Sequence, residues 1–72
     1  MPQETVSIEA ATGRRVLRLT EVEQKTGFKR AHLYSLMKVG KFPRSFRLGA
    51  RAVGWDSLEV DRWIADRLSE RV

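Results

Sequence analysis

Thr26-Gly-Phe-Lys-Arg-Ala-His-Leu-Tyr-Ser-Leu-Met-Lys-Val-Gly40 is the stretch on which the reading of the fold turns. From Arg30 to Val39 the apolar residues Leu33, Leu36 and Met37 fall on one helical face, and Gly40 supplies the left-handed residue that ends such a helix. The opposite face offers Arg30, Ala31, Tyr34, Ser35 and Lys38, with Lys29 just ahead of it. Gly27 closes an earlier helix by the same chemistry, so little more than Phe28 and Lys29 separates the two. A connection that tight specifies a helix-turn-helix and is too short for parallel neighbours.

Upstream, Thr20 with Glu23 three residues later has the pattern of a capping box and predicts the start of the first helix. Arg15 to Leu19 reads as a short extended lead-in that pins Leu17 or Leu19 on the core. Downstream, Phe42 and Pro43 break the chain away. Phe46 and Leu48 then alternate with Ser45 and Arg47, Gly49-Ala50-Arg51 turns, and Val53 and Trp55 alternate with Gly54. This predicts a hairpin over about 44–55, with Arg47 on its outward register and Arg51 at its tip. Asp56 and Glu59 repeat the capping pattern, and Val60, Trp63, Ile64 and Leu68 mark a last helix that buries Trp63. Residues 1–14, with weak alternation at Val6 and Ile8, are expected to form a flexible tail, and residues 15–70 one domain. The fold class is mainly α with a small β-hairpin: a winged helix-turn-helix built of a two-helix unit, a hairpin wing and a C-terminal packing helix.

Seventy-two residues leave room for one domain, and the absence of cysteine excludes a disulfide framework. His32, the only histidine, has no thiol to share a zinc site, so no metal or other cofactor is expected. Met1 to Gly13 contains Glu4 and Glu9 and no continuous apolar run, so neither a signal peptide nor a membrane span is read there. The expected location is cytoplasmic and nucleoid-associated.

The net charge of +5 is unevenly spread. Residues 24–55 contain Lys25, Lys29, Arg30, Lys38, Lys41, Arg44, Arg47 and Arg51 and no Asp or Glu, a segment charge of +8, while the remainder of the chain is at −3. Positive charge gathered in one segment of a folded domain fits a polyanion, because each neutralised phosphate releases condensed counterions. A basic surface alone would also fit an acidic membrane or an acidic protein, so the pattern of residue types decides.

A helix that enters the major groove needs long cations and hydroxyls for phosphates and base edges, and small residues so that its backbone can approach. Lys29, Arg30, Tyr34 and Lys38 supply the first kind, Ala31 and Ser35 the second. Ordinary solvated helix faces mix both signs of charge, whereas this one is wholly positive. Arg47 and Arg51 are candidates for flanking phosphates or the minor groove, although charged residues on a strand also block edge pairing. Trp55 and Trp63 could stack on single-stranded bases, but their spacing beside Val53, Val60 and Ile64 assigns them to the core. Tyr34 is the better stacking or phosphate candidate, and His32 lies toward the helix flank. No nucleophile adjoins a base and no glycine-rich phosphate loop is present, so catalytic residues are not expected and an enzyme is the weakest reading.

The segments Arg15-Val-Leu-Arg-Leu-Thr-Glu-Val, Thr26-Gly-Phe, Leu33-Tyr34, Gly40-Lys-Phe-Pro-Arg, Leu48-Gly, Arg51-Ala-Val-Gly-Trp55 and Val60-x-x-Trp-Ile64 together resemble the AlpA family over about residues 15–66. The resemblance implies a MerR-like winged helix-turn-helix of prophages and genomic islands that regulates integrase-linked genes. It also brings in related excisionases, which bend attachment-site DNA. Family members often carry Ser or Thr where Lys29 precedes the second helix, so a normal N-cap is missing here, and often a cation where Ser35 stands. The functional expectation is a sequence-specific regulator on double-stranded DNA, with residues 30–39 in the major groove and 44–55 on the backbone or minor groove. An excisionase is the alternative, and a module for an acidic protein partner the third reading. Partners would be double-stranded DNA, integrase or RNA polymerase, and a second copy through weak self-association on DNA, with no membrane.

Overall fold

The structure is a computed structural model that describes residues 12–71, so most of the expected 1–14 tail, with Val6 and Ile8, lies outside the described residues. In chain order the elements are β1 (Val16–Leu17), α1 (Leu19–Thr26), α2 (Arg30–Lys38), β2 (Phe46–Gly49), β3 (Ala52–Asp56) and α3 (Ser57–Ser69). The strands form an antiparallel sheet in the order β1-β3-β2. Helices α1 and α2 make the helix-turn-helix, β2 and β3 the wing, and α3 the packing helix. The lead-in at Val16–Leu17 is a true strand on the free side of β3, with Leu17 opposite Trp55.

Local chemistry sets the helix ends, and at α1 it differs from expectation. The cap is Arg18, whose backbone N–H donates to Glu21 Oε1 at 2.8 Å, and Thr20 lies inside the helix. A hydroxyl is the usual cap acceptor, which favoured Thr20 on sequence. A glutamate three residues into the helix can receive the backbone N–H of any residue, and Glu21 does so while Arg15 Nη1 holds it at 2.9 Å. Gly27, at φ 80°, ends α1 with its N–H on the Glu23 carbonyl, and the Thr26 hydroxyl oxygen accepts from Phe28 N–H to start the turn. At the end of α2, Gly40 at φ 75° directs its own N–H to Met37 O and that of Lys41 to Leu36 O, the two bonds of a Schellman stop. Asp56 caps α3 by accepting from Leu58 N–H, and Glu59 sits in the first turn beside the positive helix end.

Leu17, Val22, Leu33, Phe42, Trp55 and Val60 form the buried core, and Leu36, Met37, Val53, Trp63 and Ile64 pack against it. Of the two indoles, Trp55 is the fully buried one, at 0 % exposure, whereas Trp63 is only half-buried. The expectation that α3 buries Trp63 is thereby corrected. Trp63 lies between Phe28 and Phe42, with ring centroids 6.2 and 4.9 Å away, and donates from Nε1 to Lys41 O at 2.8 Å. Leu68, placed on the same apolar stripe, is 55 % exposed because it falls near the end of α3, past the body of the core.

The hairpin also departs from expectation. Phe46 pairs with Gly54 and Arg47 with Val53, so Arg47 shares a sheet face with Val53 and Trp55, while Phe46 faces away. Phe46 and Leu48 are each 43 % exposed. Leu48 is the extra residue of a bulge between the Arg47 and Gly49 rungs, which alters the alternation on β2. Gly54 permits the close approach of three strands: a Cβ there would collide with Val16 Cγ1 and stand 3.2 Å from Leu17 O.

Three outcomes follow for stability. Removing a buried aromatic costs about 3–5 kcal/mol, most of the reserve of so small a domain. Trp55→Ala should therefore show no cooperative melt by circular dichroism at 25 °C, with Trp63→Ala folded but less stable; the reverse order would invalidate this account of the core. Gly54→Ala should cost about 1–3 kcal/mol through overpacking against Val16 and the Leu17 carbonyl, read as a lowered Tm. Glu21 is held below the ordinary carboxylate range by the Arg18 N–H and the Arg15 guanidinium, and Asp56 chiefly by the hydrogen bond from Arg14. A carboxylate whose pKa falls on folding stabilises above its unfolded value of about 4, and that contribution is lost as pH falls through the lower native value. Glu21→Gln/Asp56→Asn should thus melt below wild type near neutral pH and converge with it in strong acid; a gap independent of pH would assign the loss to packing.

Candidate nucleic-acid interface

The outward face of α2 carries Arg30, Ala31, Ser35 and Lys38 exposed, with Lys29 exposed at its N-cap and Tyr34 half-buried at its edge. Lys29 makes no side-chain cap hydrogen bond, so the first N–H groups of α2 have no side-chain acceptor among the described residues. The first turn of α2 holds no acid. Its positive end and its side-chain charges therefore act in the same sense on an approaching anion.

Tyr34 is where helix and hairpin meet. Its ring stands at 72° to that of Trp55, with centroids 6.2 Å apart, and Arg30 lies over it with Cζ 5.3 Å from the centroid. Trp55 in turn donates from Nε1 to Pro43 O at 3.1 Å. The sheet face that Tyr34 touches is also the face that carries Arg47, exposed across from Val53. The structure thus brings Arg30, Tyr34 and Arg47 to one side of the hairpin. Arg51 lies in the turn between β2 and β3, and Lys38 at the far end of α2; both are exposed.

Ion pairing separates the frame from this surface. Arg14 holds Asp56 through two bonds of 2.9 and 2.8 Å, Arg15 holds Glu21, Lys25 holds Asp61 at 2.7 Å, and Arg67 lies 3.5 Å from Glu70. Among the described residues, Lys25 is the only one of the eight cations in 24–55 that takes part in an ion pair. The other seven take part in no ion pair among the described residues.

Arg18 was missed by the sequence reading. Its Nε donates to Val53 O at 3.1 Å, just beyond the point where the two-residue strand β1 stops pairing. A guanidinium thereby supplies the next rung on β3 and ties the wing to the start of α1. The only hint was the unusual Arg before Leu19, since the contact spans 35 positions. His32 is exposed, with its ring 4.1 Å from that of Phe28, in keeping with a place on the helix flank. Among the described residues no group of three His, Cys, Asp or Glu could hold a metal, and no helix is long and apolar enough to cross a membrane.

The family model described as prophage CP4-57 regulatory protein (AlpA) matches residues 15–68. The DNA-binding transcriptional activator AlpA of Escherichia coli (strain K12) is 39% identical over 59 residues, covering 74% of this chain and 84% of the relative. An uncharacterized protein, ORF88, of Enterobacteria phage P4 is 38% identical over 60 residues, covering 83% of this chain and 68% of the relative. No solved structure gives a significant match. The matched span runs from β1 through nearly all of α3, taking in both helices of the helix-turn-helix and the wing, and the chain belongs to the AlpA family of prophage regulatory proteins.

Proposed function

We propose that this protein is a sequence-specific regulator of transcription that binds double-stranded DNA, with α2 in the major groove and the β2–β3 hairpin on the adjacent backbone or minor groove. The observation that carries the reading is that residues 24–55 hold eight cations and no acid, and that the fold brings Arg30, Tyr34 and Arg47 of this run to one side of the hairpin with no ion pair to any of them among the described residues. The name of the Escherichia coli relative supports it. Binding is no catalysis: the chain holds a duplex, and regulation follows from what that position blocks or recruits.

The mechanism divides by chemistry. Phosphates look alike at every step, so Lys29, Lys38, Arg47 and Arg51 supply affinity and orientation through counterion release. Base edges differ in their donors and acceptors, so Arg30, with Ala31 and Ser35 allowing close approach, supplies discrimination. One helix and one small wing bury on the order of 600–1,000 Å², the area of a single module, so adjacent sites or weak self-association on DNA would raise affinity.

Fluorescence anisotropy on a duplex enriched by the wild-type protein from a random library, against a scrambled duplex of the same composition, tests this reading. Affinity should fall steeply with salt, and a log–log slope near zero would exclude a phosphate-binding surface. Arg30→Ala should lose about 1–3 kcal/mol on the enriched duplex and less on the scrambled one. Arg51→Ala should weaken both alike and reduce the salt slope by about one phosphate's share. If Arg51→Ala erased discrimination while Arg30→Ala left it intact, the wing would be the reading element.

A further inference from the structure

The cations of the frame, Arg14, Arg15 and Lys25, are held by carboxylates, whereas Arg30 is held by the face of an aromatic ring. Arg30 and Tyr34 are one helical turn apart, a spacing that places the two side chains side by side on α2. The ring of Tyr34 is itself fixed, half-buried against the fully buried Trp55, whose indole N–H is anchored on Pro43 O. The chain Pro43–Trp55–Tyr34–Arg30 thus runs from the core to the exposed guanidinium.

A salt bridge would orient Arg30 equally well but would neutralise it and occupy its N–H donors. A ring face attracts the cation through its quadrupole and leaves the positive charge and the in-plane N–H groups available. With no Asp or Glu anywhere in residues 24–55, an aromatic face is the available means of fixing the side chain without cancelling its field. The same contact covers one face of Tyr34, which disfavours that ring as a platform for a base.

We infer that Tyr34 is a positioning residue for sequence recognition: with its ring braced on Trp55, it presents the Arg30 guanidinium to the groove in a fixed orientation and does not itself read a base. This rests on the DNA-binding reading above. Binding then orders fewer rotamers of a long side chain, and the saving is largest where geometry matters most, on the preferred site.

The test compares Tyr34→Phe and Tyr34→Leu, each with and without Arg30→Ala, on the enriched and scrambled duplexes. Tyr34→Phe should keep discrimination within error, since the ring remains. Tyr34→Leu should lower discrimination roughly two- to fivefold, the range expected of an exposed cation–π contact, and should have no such effect once Arg30 is alanine. A readout free of DNA accompanies it: the Arg30 side-chain protons should be shifted upfield by the ring current in wild type and Tyr34→Phe, and not in Tyr34→Leu. Loss in Tyr34→Phe equal to that in Tyr34→Leu would make the hydroxyl a direct contact and overturn the positioning role. So would an equal loss in the Arg30→Ala background, no loss in Tyr34→Leu, or Arg30 protons unshifted in wild type. A wild-type protein that enriches no duplex would overturn the proposed function itself, and the recognition role of Tyr34 with it.

Discussion

Two indole N–H groups grip a three-residue stretch, Lys41 to Pro43, within the connector between α2 and β2, and the relation of helix to wing depends on that grip. Trp63 donates to the carbonyl of Lys41 and Trp55 to that of Pro43, while the side chain between them, Phe42, is buried. Each bond contributes on the order of 1 kcal/mol, but its larger effect is geometric. The connector leaves α2 through the Gly40 stop and leads into β2, so fixing two of its carbonyls limits how far the hairpin can swing about the end of α2. The two donors come from different elements, β3 and α3, which couples wing and packing helix to the helix they support.

Charge is partitioned along similar lines. Carboxylates of α1, β3 and α3 are spent on Arg14, Arg15 and Lys25, binding the lead-in to the start of α3 and α1 to the flank of α3. These contacts are largely exposed, and pairs of that kind contribute little each in salt. None of these pairs draws on a cation of α2 or of the β2–β3 turn, although Asp56, Glu59 and Asp66 line one groove with Lys41 and Arg44. Cations that take part in no ion pair among the described residues, seven of the eight in 24–55, repel one another and cost stability, a cost that a polyanion relieves. The Arg30–Tyr34 contact is consistent with this partition, since it orders a cation without compensating it.

Much of the fold was legible because its signals are local. The helical spacing of Leu33, Leu36 and Met37, the stops at Gly27 and Gly40 and the cap at Asp56 each depend on chemistry within a few residues, and the structure has them where the sequence did. What failed were questions of phase and rank. Alternation in Ser45 to Leu48 shows a strand but not which face meets the core, and the bulge at Leu48 disturbs even the period. Spacing put both tryptophans inside without telling that Trp55, at the centre of a three-stranded sheet, would be the deeper. Thr20 drew the cap because side-chain acceptors are conspicuous in a sequence, whereas a glutamate reaching back to the backbone of Arg18 is not. At the interface, the cationic and small residues of α2 could be picked out by type. Tyr34 needed its contacts, since only the placement of Trp55 and Arg30 against it distinguishes a brace from a platform.

The Arg18 guanidinium on the Val53 carbonyl has an implication outside nucleic-acid binding. β3 is flanked on one side by β2 but on the other only by two residues of β1, so Val53 lies beyond the last pair of that ladder. An unpaired strand edge of this kind is a template for a strand from another molecule. A side-chain donor seated on that carbonyl competes with an incoming backbone N–H, and its charge repels a second copy bearing the same arginine. The residue that ties the wing down thus also occupies the carbonyl on which an added strand would pair.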